Sequence, residues 1–174
     1  MKSFGEIAFT PAVKALQEKH GSRAGYAGTQ ARSGAGLGPR EAEFLAAADS
    51  FYLASVSESG WPYVQHRGGP RGFLKVLSPV RIAYADFRGN RQYVSAGNVG
   101  RDDRVAIIIV DYARRQRLKL LARLRFEDLG AADPGLVAAV ELPGYAAKVE
   151  RIGILEVEAF DWNCPQHITR RCSA

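Results

Sequence analysis

The chain has 174 residues, 47% hydrophobic and 24% charged, with a formal net charge of +6 and a pI near 9.5. These values fit one globular domain with a sizeable core, and two cysteines exclude a secreted disulfide framework. No apolar run approaches a membrane span and the first ten residues lack the apolar core of a secretion signal, so a cytoplasmic protein without membrane contact is expected.

Thr10 caps a helix that starts at Pro11, shows Val13, Leu16 and Gln17 on one face and stops at Gly21. Positions 21–38 carry six glycines in a polar stretch and read as a long flexible loop. Its GAGLG at 34–38 resembles half a dinucleotide fingerprint. No strand precedes it and no ribose-binding acid follows, so a connector is the better reading. A second helix is expected over 39–48, with Glu41 and Glu43 in its first turn.

From Phe51 the pattern changes to strands, at 51–57 and 61–67 around a turn at Glu58-Ser-Gly60. Shorter strands are expected at 74–77, 81–85 and 92–96. The apolar, mostly β-branched run at 105–110 predicts a strand buried on both faces. A turn at 114–116 leads into a long strand at 118–126. Asp133 caps a short helix through Glu141, with Pro134 at its first position, and the last strand covers 151–160. Many short antiparallel strands and few helices predict a mainly β fold, either barrel or sandwich. One domain is expected over 1–174, with a helix and glycine-rich loop within 1–50 and a tail at 161–174.

Most of the arginine excess fits a solvated surface. The exception is 67–91, where Arg67, Arg71, Lys75, Arg88 and Arg91 coincide with aromatic residues, glycines and strand ends. Gly68, Gly69 and Pro70 break one strand, and Gly89-Asn90 turns the chain into the next. Glycine sits where a backbone bends or approaches a ligand closely. Guanidinium groups beside backbone N–H groups suit a phosphate, whose oxygens accept bidentate bonds. These residues predict a phosphate-bearing ligand held against a sheet. Near the C-terminus, Cys164, His167 and Cys172 spell C-x2-H-x4-C, but structural zinc wants four ligands, so no metal site is expected.

Four segments occur in order: WPYVQHRGG at 61–69, GFLKVL at 72–77, ADFRGNRQY at 85–93 and FDWNCPQHI at 160–168. They resemble a subgroup of the FMN-binding relatives of pyridoxamine 5′-phosphate oxidase, the split-barrel flavoproteins, and the resemblance spans Phe4 to Thr169. It implies a small split β-barrel that binds FMN as a homodimer, with the flavin at the subunit interface. It assigns phosphate contacts to Arg67 and Lys75, closed from the next strand by Asn90 and Arg91. Gln65, His66 and Gly68 would lie along the ring edge, with Gln92, Ser95 and Asn98 as amide and hydroxyl partners. Arg117, with Lys119, falls on a later flavin-contacting strand. Trp162 and His167 would close over a neighbouring subunit's ligand, unless Trp162 simply covers the barrel's end. The sequence departs from the subgroup at Ala48 and Arg71, changes that bear on substrate access without removing the cofactor, and in the ending Arg170-Arg-Cys-Ser-Ala, which bears on the role of the last residues.

No GxxxxGK[ST], HExxH or GxSxG motif is present, and YVSAG at 93–97 lacks the first glycine of a nucleophile elbow. No carboxylate pair or His–carboxylate neighbour is placed for acid–base work, so no catalytic residue is identified and a cofactor would supply the reactivity. The leading reading is an FMN-dependent oxidoreductase with a small-molecule electron donor and acceptor and no assigned substrate. A non-catalytic flavin-binding or storage protein is the second. The third and weakest is a basic barrel that binds single-stranded nucleic acid by stacking on Tyr63, Phe73, Phe87 and Tyr93. A deazaflavin or a haem also falls within the split-barrel class; haem would draw on His66 or His167 as axial ligand.

Overall fold

The strand-forming half of the chain assembles into one antiparallel sheet. A computed structural model describes residues 1–27, 36–162 and 164–171. Four helices come first: α1 (Phe4–Ala8), α2 (Pro11–Lys19), α3 (Arg23–Ala27) and α4 (Pro39–Ala47). Strands β1 (Ser50–Val56), β2 (Pro62–Gly68), β3 (Leu74–Ser78) and β4 (Arg81–Phe87) follow, then helix α5 (Val94–Arg101). Strands β5 (Arg104–Asp111) and β6 (Gln116–Asp128), helix α6 (Pro134–Val140) and strand β7 (Val149–Trp162) complete the chain. No described helix is long and apolar enough to cross a membrane.

The helix starts follow their capping residues. Thr10 Oγ1 accepts from Val13 N, and Asp133 Oδ1 accepts from Gly135 N and Leu136 N. Helix α1, unforeseen above, begins with a reciprocal Ser3–Glu6 capping box that the S-x-x-E spelling already held. Helix α3 also breaks into the stretch expected to be loop throughout. Gly34 and Ala35 of the GAGLG stretch, and Cys172, lie outside the described residues.

The sheet order is β2-β1-β5-β6-β7-β4-β3. Three strands separate β1 from β4 in that order, yet the Phe51 ring meets Tyr84 edge-on at 5.2 Å and stacks on Phe73 at 5.9 Å. The sheet therefore curls until its ends face each other, while β2 and β3 stay at the two ends of the ladder. A mainly β barrel, split along one seam, results. Its interior holds Phe51, Leu53, Ile82, Tyr84, Ile107, Ile109, Leu118, Leu120, Leu124 and Leu155. Gly153 lets β7 pass directly beneath Tyr84, since a Cβ there would sit 2.3 Å from the ring. A second core forms where α6 covers Ala83, Ile152 and Ile154 on the outer side.

Two expected elements are corrected. The strand expected at 92–96 is instead the approach to α5, whose Ser95, Asn98 and Val99 are buried at helical spacing. Left-handed residues at Arg91 (φ 62) and Tyr93 (φ 53) turn the chain into that helix, and Gly97 and Gly100 hide its propensity. Strand β5 is buried on one face only. Val105, Ile107 and Ile109 point inward, whereas Ala106 is exposed and Ile108 and Val110 are half-buried. A β-branched run gives strand but not the number of covered faces.

Candidate functional site

Alternation along β2 puts Tyr63, Gln65 and Arg67 on the same side as their β1 partners Ser55, Leu53 and Phe51, which face the barrel interior. On β4 the inward series Ile82, Tyr84 continues to Asp86, which is 3% exposed. Arg67 Nη1 is ion-paired with Asp86 Oδ1, and Arg151 Nη2 donates to Asp86 Oδ2 at 2.6 Å. The Arg151 guanidinium lies over Phe126 at 4.5 Å and Tyr93 at 5.2 Å; Arg67 lies 5.6 Å from Phe126. Two guanidinium groups thus share one carboxylate, and the cluster keeps a positive charge away from water. Both Nε atoms are buried without a partner, as is the Tyr84 hydroxyl. Burial is the main cause that pushes the Tyr84 phenol up, so it stays protonated and cannot offset that charge.

The cluster opens on a cavity of about 50 Å³. Gln65 Oε1 forms one wall, accepting from Ser95 Oγ at 2.6 Å and Arg67 Nη2 at 3.2 Å. At the rim, Arg91 Nε donates to the Tyr93 hydroxyl at 3.2 Å, and that hydroxyl donates to Glu150 Oε2 at 3.4 Å. Arg88 lies 3.4 Å from Glu150, and Gln92 N donates to Asn90 Oδ1 at 3.2 Å. The hydrogen bond to Tyr93, with the nearby Glu150 carboxylate, raises the Arg91 pKa further, so the rim cation is permanent. Excess positive charge and unpartnered donors fit an anionic group the size of a phosphate. The volume is far below the roughly 300–1,000 Å³ of a pocket that encloses a drug-sized ring system.

Of the residues picked from sequence, Gln65, Arg67, Asn90, Arg91, Gln92 and Ser95 line this cavity. The others lie elsewhere. His66 and Gly68 have the opposite parity on β2, and His66 sits on the outer face, edge-on to Tyr52 at 5.4 Å. Lys75 pairs with Ala83, on the side of the second core and away from Leu74 and Tyr84. Asn98 turns to Ser55, donating Nδ2–H to its Oγ at 3.0 Å. Arg117 is on β6 opposite Val110, with its Nε buried and unpartnered. Trp162 is half-buried against α4, and His167 is exposed with φ 61.

Asp86, Arg151 and Glu150 were missed. Asp86 could have been found, because an acid in register with Ile82 and Tyr84 must face the core and needs a counter-charge. Arg151 carried no such mark. The stacking set of the nucleic-acid reading is broken up, since Phe73 is 1% exposed inside the barrel. Among the described residues no cluster of His, Cys, Asp or Glu could hold a metal ion.

Residues 37–152 match the family model described as pyridoxamine 5′-phosphate oxidase, a segment that contains every residue of the charged cavity. Among solved structures, a candidate pyridoxamine 5′-phosphate oxidase from Lactobacillus delbrueckii superposes with a TM-score of 0.54 at 19% identity, covering 75% of this chain and 97% of that one. HupZ of Group A Streptococcus superposes with a TM-score of 0.53 at 12% identity, covering 78% and 99% respectively. These likenesses concern the fold. No curated protein sequence matches the chain.

Proposed function

Given that this chain belongs to the pyridoxamine 5′-phosphate oxidase family, we propose that it is an FMN-binding oxidoreductase whose substrate is still to be assigned. The observation that carries the reading is the cationic cavity at Arg67, Arg151 and Arg91, built within the family segment and sized for a phosphate. When bound, FMN would accept a hydride or electrons from a small donor and pass them to an acceptor. Arg91 and the Arg67–Asp86–Arg151 cluster would hold the phosphate end, with Gln65 and Ser95 orienting it through their mutual hydrogen bond. Asp86 is ion-paired twice and Glu150 lies beside Arg88, so neither is a free general base.

A ring system cannot enter 50 Å³, which supports a site completed by a second copy of the chain. A second copy has an apolar face to seat on, the outer face of β2, β1 and β5. Register rows run His66–Tyr52–Ile108 and Val64–Ala54–Ala106 across it. Val64, Val56 and Tyr52 there are 61%, 42% and 39% exposed, more apolar surface than a lone barrel face usually shows. Val64→Asp should convert the dimer to a monomer in sedimentation velocity. A wild-type chain that sediments as a monomer would refute the dimer.

The visible absorption spectrum of the purified protein, with mass analysis of whatever heat releases, tests the cofactor. The expected result is a flavin spectrum and released FMN; a deazaflavin would show at a shorter wavelength and a different mass. A colourless protein that also fails to take up added FMN would contradict the proposal.

A further inference from the structure

The family segment covers residues 37–152, so α1, α2 and α3 and the end of β7 lie outside it. With the start of α4 and Lys119 of β6 they line a second cavity of about 800 Å³, walled by Phe4, Phe9, Tyr26, Phe160 and Trp162 together with Lys2, Arg40, Glu41, Lys119 and Asp161. The wall is held from both sides. Lys2 N donates to Glu158 O at 3.1 Å, tying the start of the chain to β7 just ahead of the α1 capping box. Phe9 meets Tyr26 edge-on at 5.5 Å, and Arg23 Nη1 donates to Gln17 Oε1 at 3.3 Å, which fixes α3 against α2.

Trp162 is the most constrained part of that wall. Its Nε1–H donates to Glu41 Oε1 at 2.7 Å, the Arg40 guanidinium covers the ring at 4.1 Å, and Phe44 packs edge-on at 4.8 Å. Glu41 is 8% exposed, and its second oxygen accepts from Gly38 N at 2.9 Å, so its charge is already consumed by donors. Lys119 lies over the Phe4 ring at 4.7 Å and 3.8 Å from Asp161. Among the described lining side chains Lys2, Arg40 and Lys119 outnumber Glu41 and Asp161, so the cavity carries an excess of positive charge. Rigid ring faces select a flat apolar body, and cations already held against rings add a charge-assisted contact for an acid group.

We propose that this cavity is a separate ligand site for a planar aromatic monoanion, such as an aromatic carboxylate. Its volume is in the range of small-molecule sites, roughly 300–1,000 Å³, unlike the phosphate-sized cavity inside the barrel. The inference stands on the N-terminal helices and Trp162 and does not require flavin to bind.

The test uses the full chain carrying Trp61→Phe, which leaves Trp162 as its only tryptophan. Naphthoate and its neutral twin naphthamide are titrated while the Trp162 indole N–H resonance is followed by NMR and the heat by calorimetry. Naphthoate should shift that resonance saturably, with naphthamide binding about tenfold more weakly, the loss of one charge-assisted contact. Lys119→Met should abolish the discrimination while leaving naphthamide binding in place; its side chain is 34% exposed, so the fold should tolerate the change. Phe9→Ala should weaken both ligands. Equal binding of acid and amide, no saturable shift, or discrimination that survives Lys119→Met would overturn the proposal. So would displacement of naphthoate by FMN, which would make this the flavin's own site. The flavin spectrum is read independently, so failure here leaves the cofactor reading untouched.

Discussion

The cavity at Arg67 and the cavity at Trp162 are made of opposite materials. The first is small, lies inside the family segment, and is built by strand residues whose inward parity buries two arginines on one aspartate. The second is large and aromatic, and its wall comes from short helices before the barrel and from the end of the last strand. Buried charge holds its geometry by mutual need: removing one partner strands the others in a low dielectric. An aromatic wall holds by packing, and each piece can be lost at moderate cost. One cavity should therefore be brittle and the other adaptable.

Asp86→Ala should give the largest effect. It leaves two guanidinium groups buried without a counter-charge, a loss of about 3–5 kcal/mol, read as the shift in urea midpoint at constant slope. A variant within about 1 kcal/mol of wild type, the range of an ordinary net hydrogen bond, would show that water reaches the cluster. Trp162→Phe comes next. It keeps an aromatic ring beside Phe44 but deprives Glu41 of its indole donor, and about 1–3 kcal/mol should be lost. A loss equal to that of Asp86→Ala would erase the contrast between the two cavities.

Much of this was legible in the residues. Strand positions followed the alternation and turn signals from Phe51 onward, and Thr10-Pro11 and Asp133-Pro134 marked two helix starts correctly. The loop-to-helix change at Arg91–Val94 was not, because two left-handed residues and two glycines left α5 without a propensity signal. Within the site, Arg67 and Arg91 were picked for their charge and do share a cavity. His66 was grouped with Gln65, yet adjacent strand residues face opposite ways, so its side chain lies on the outer face while Gln65 lines the cavity. Lys75 was grouped with Arg67 across the Gly68-Gly69 break, which Arg67 precedes and Lys75 follows, but register sends Lys75 to the other side of the sheet. Arg67's need for Asp86 and Arg151 depends on the sheet curling until β2 faces β4, which no local pattern expresses.

The most direct measurement is the affinity of the flavin-free full chain for FMN against riboflavin, which differ only by the phosphate, in wild type and in Arg91→Ala. Arg91 is exposed at the rim, so its removal should leave the fold intact. If the charged cavity holds the phosphate, FMN should bind about a hundredfold more tightly than riboflavin, and Arg91→Ala should cost FMN about tenfold while leaving riboflavin unchanged. Equal affinities for the two flavins in wild type would contradict the assignment of this cavity to the phosphate.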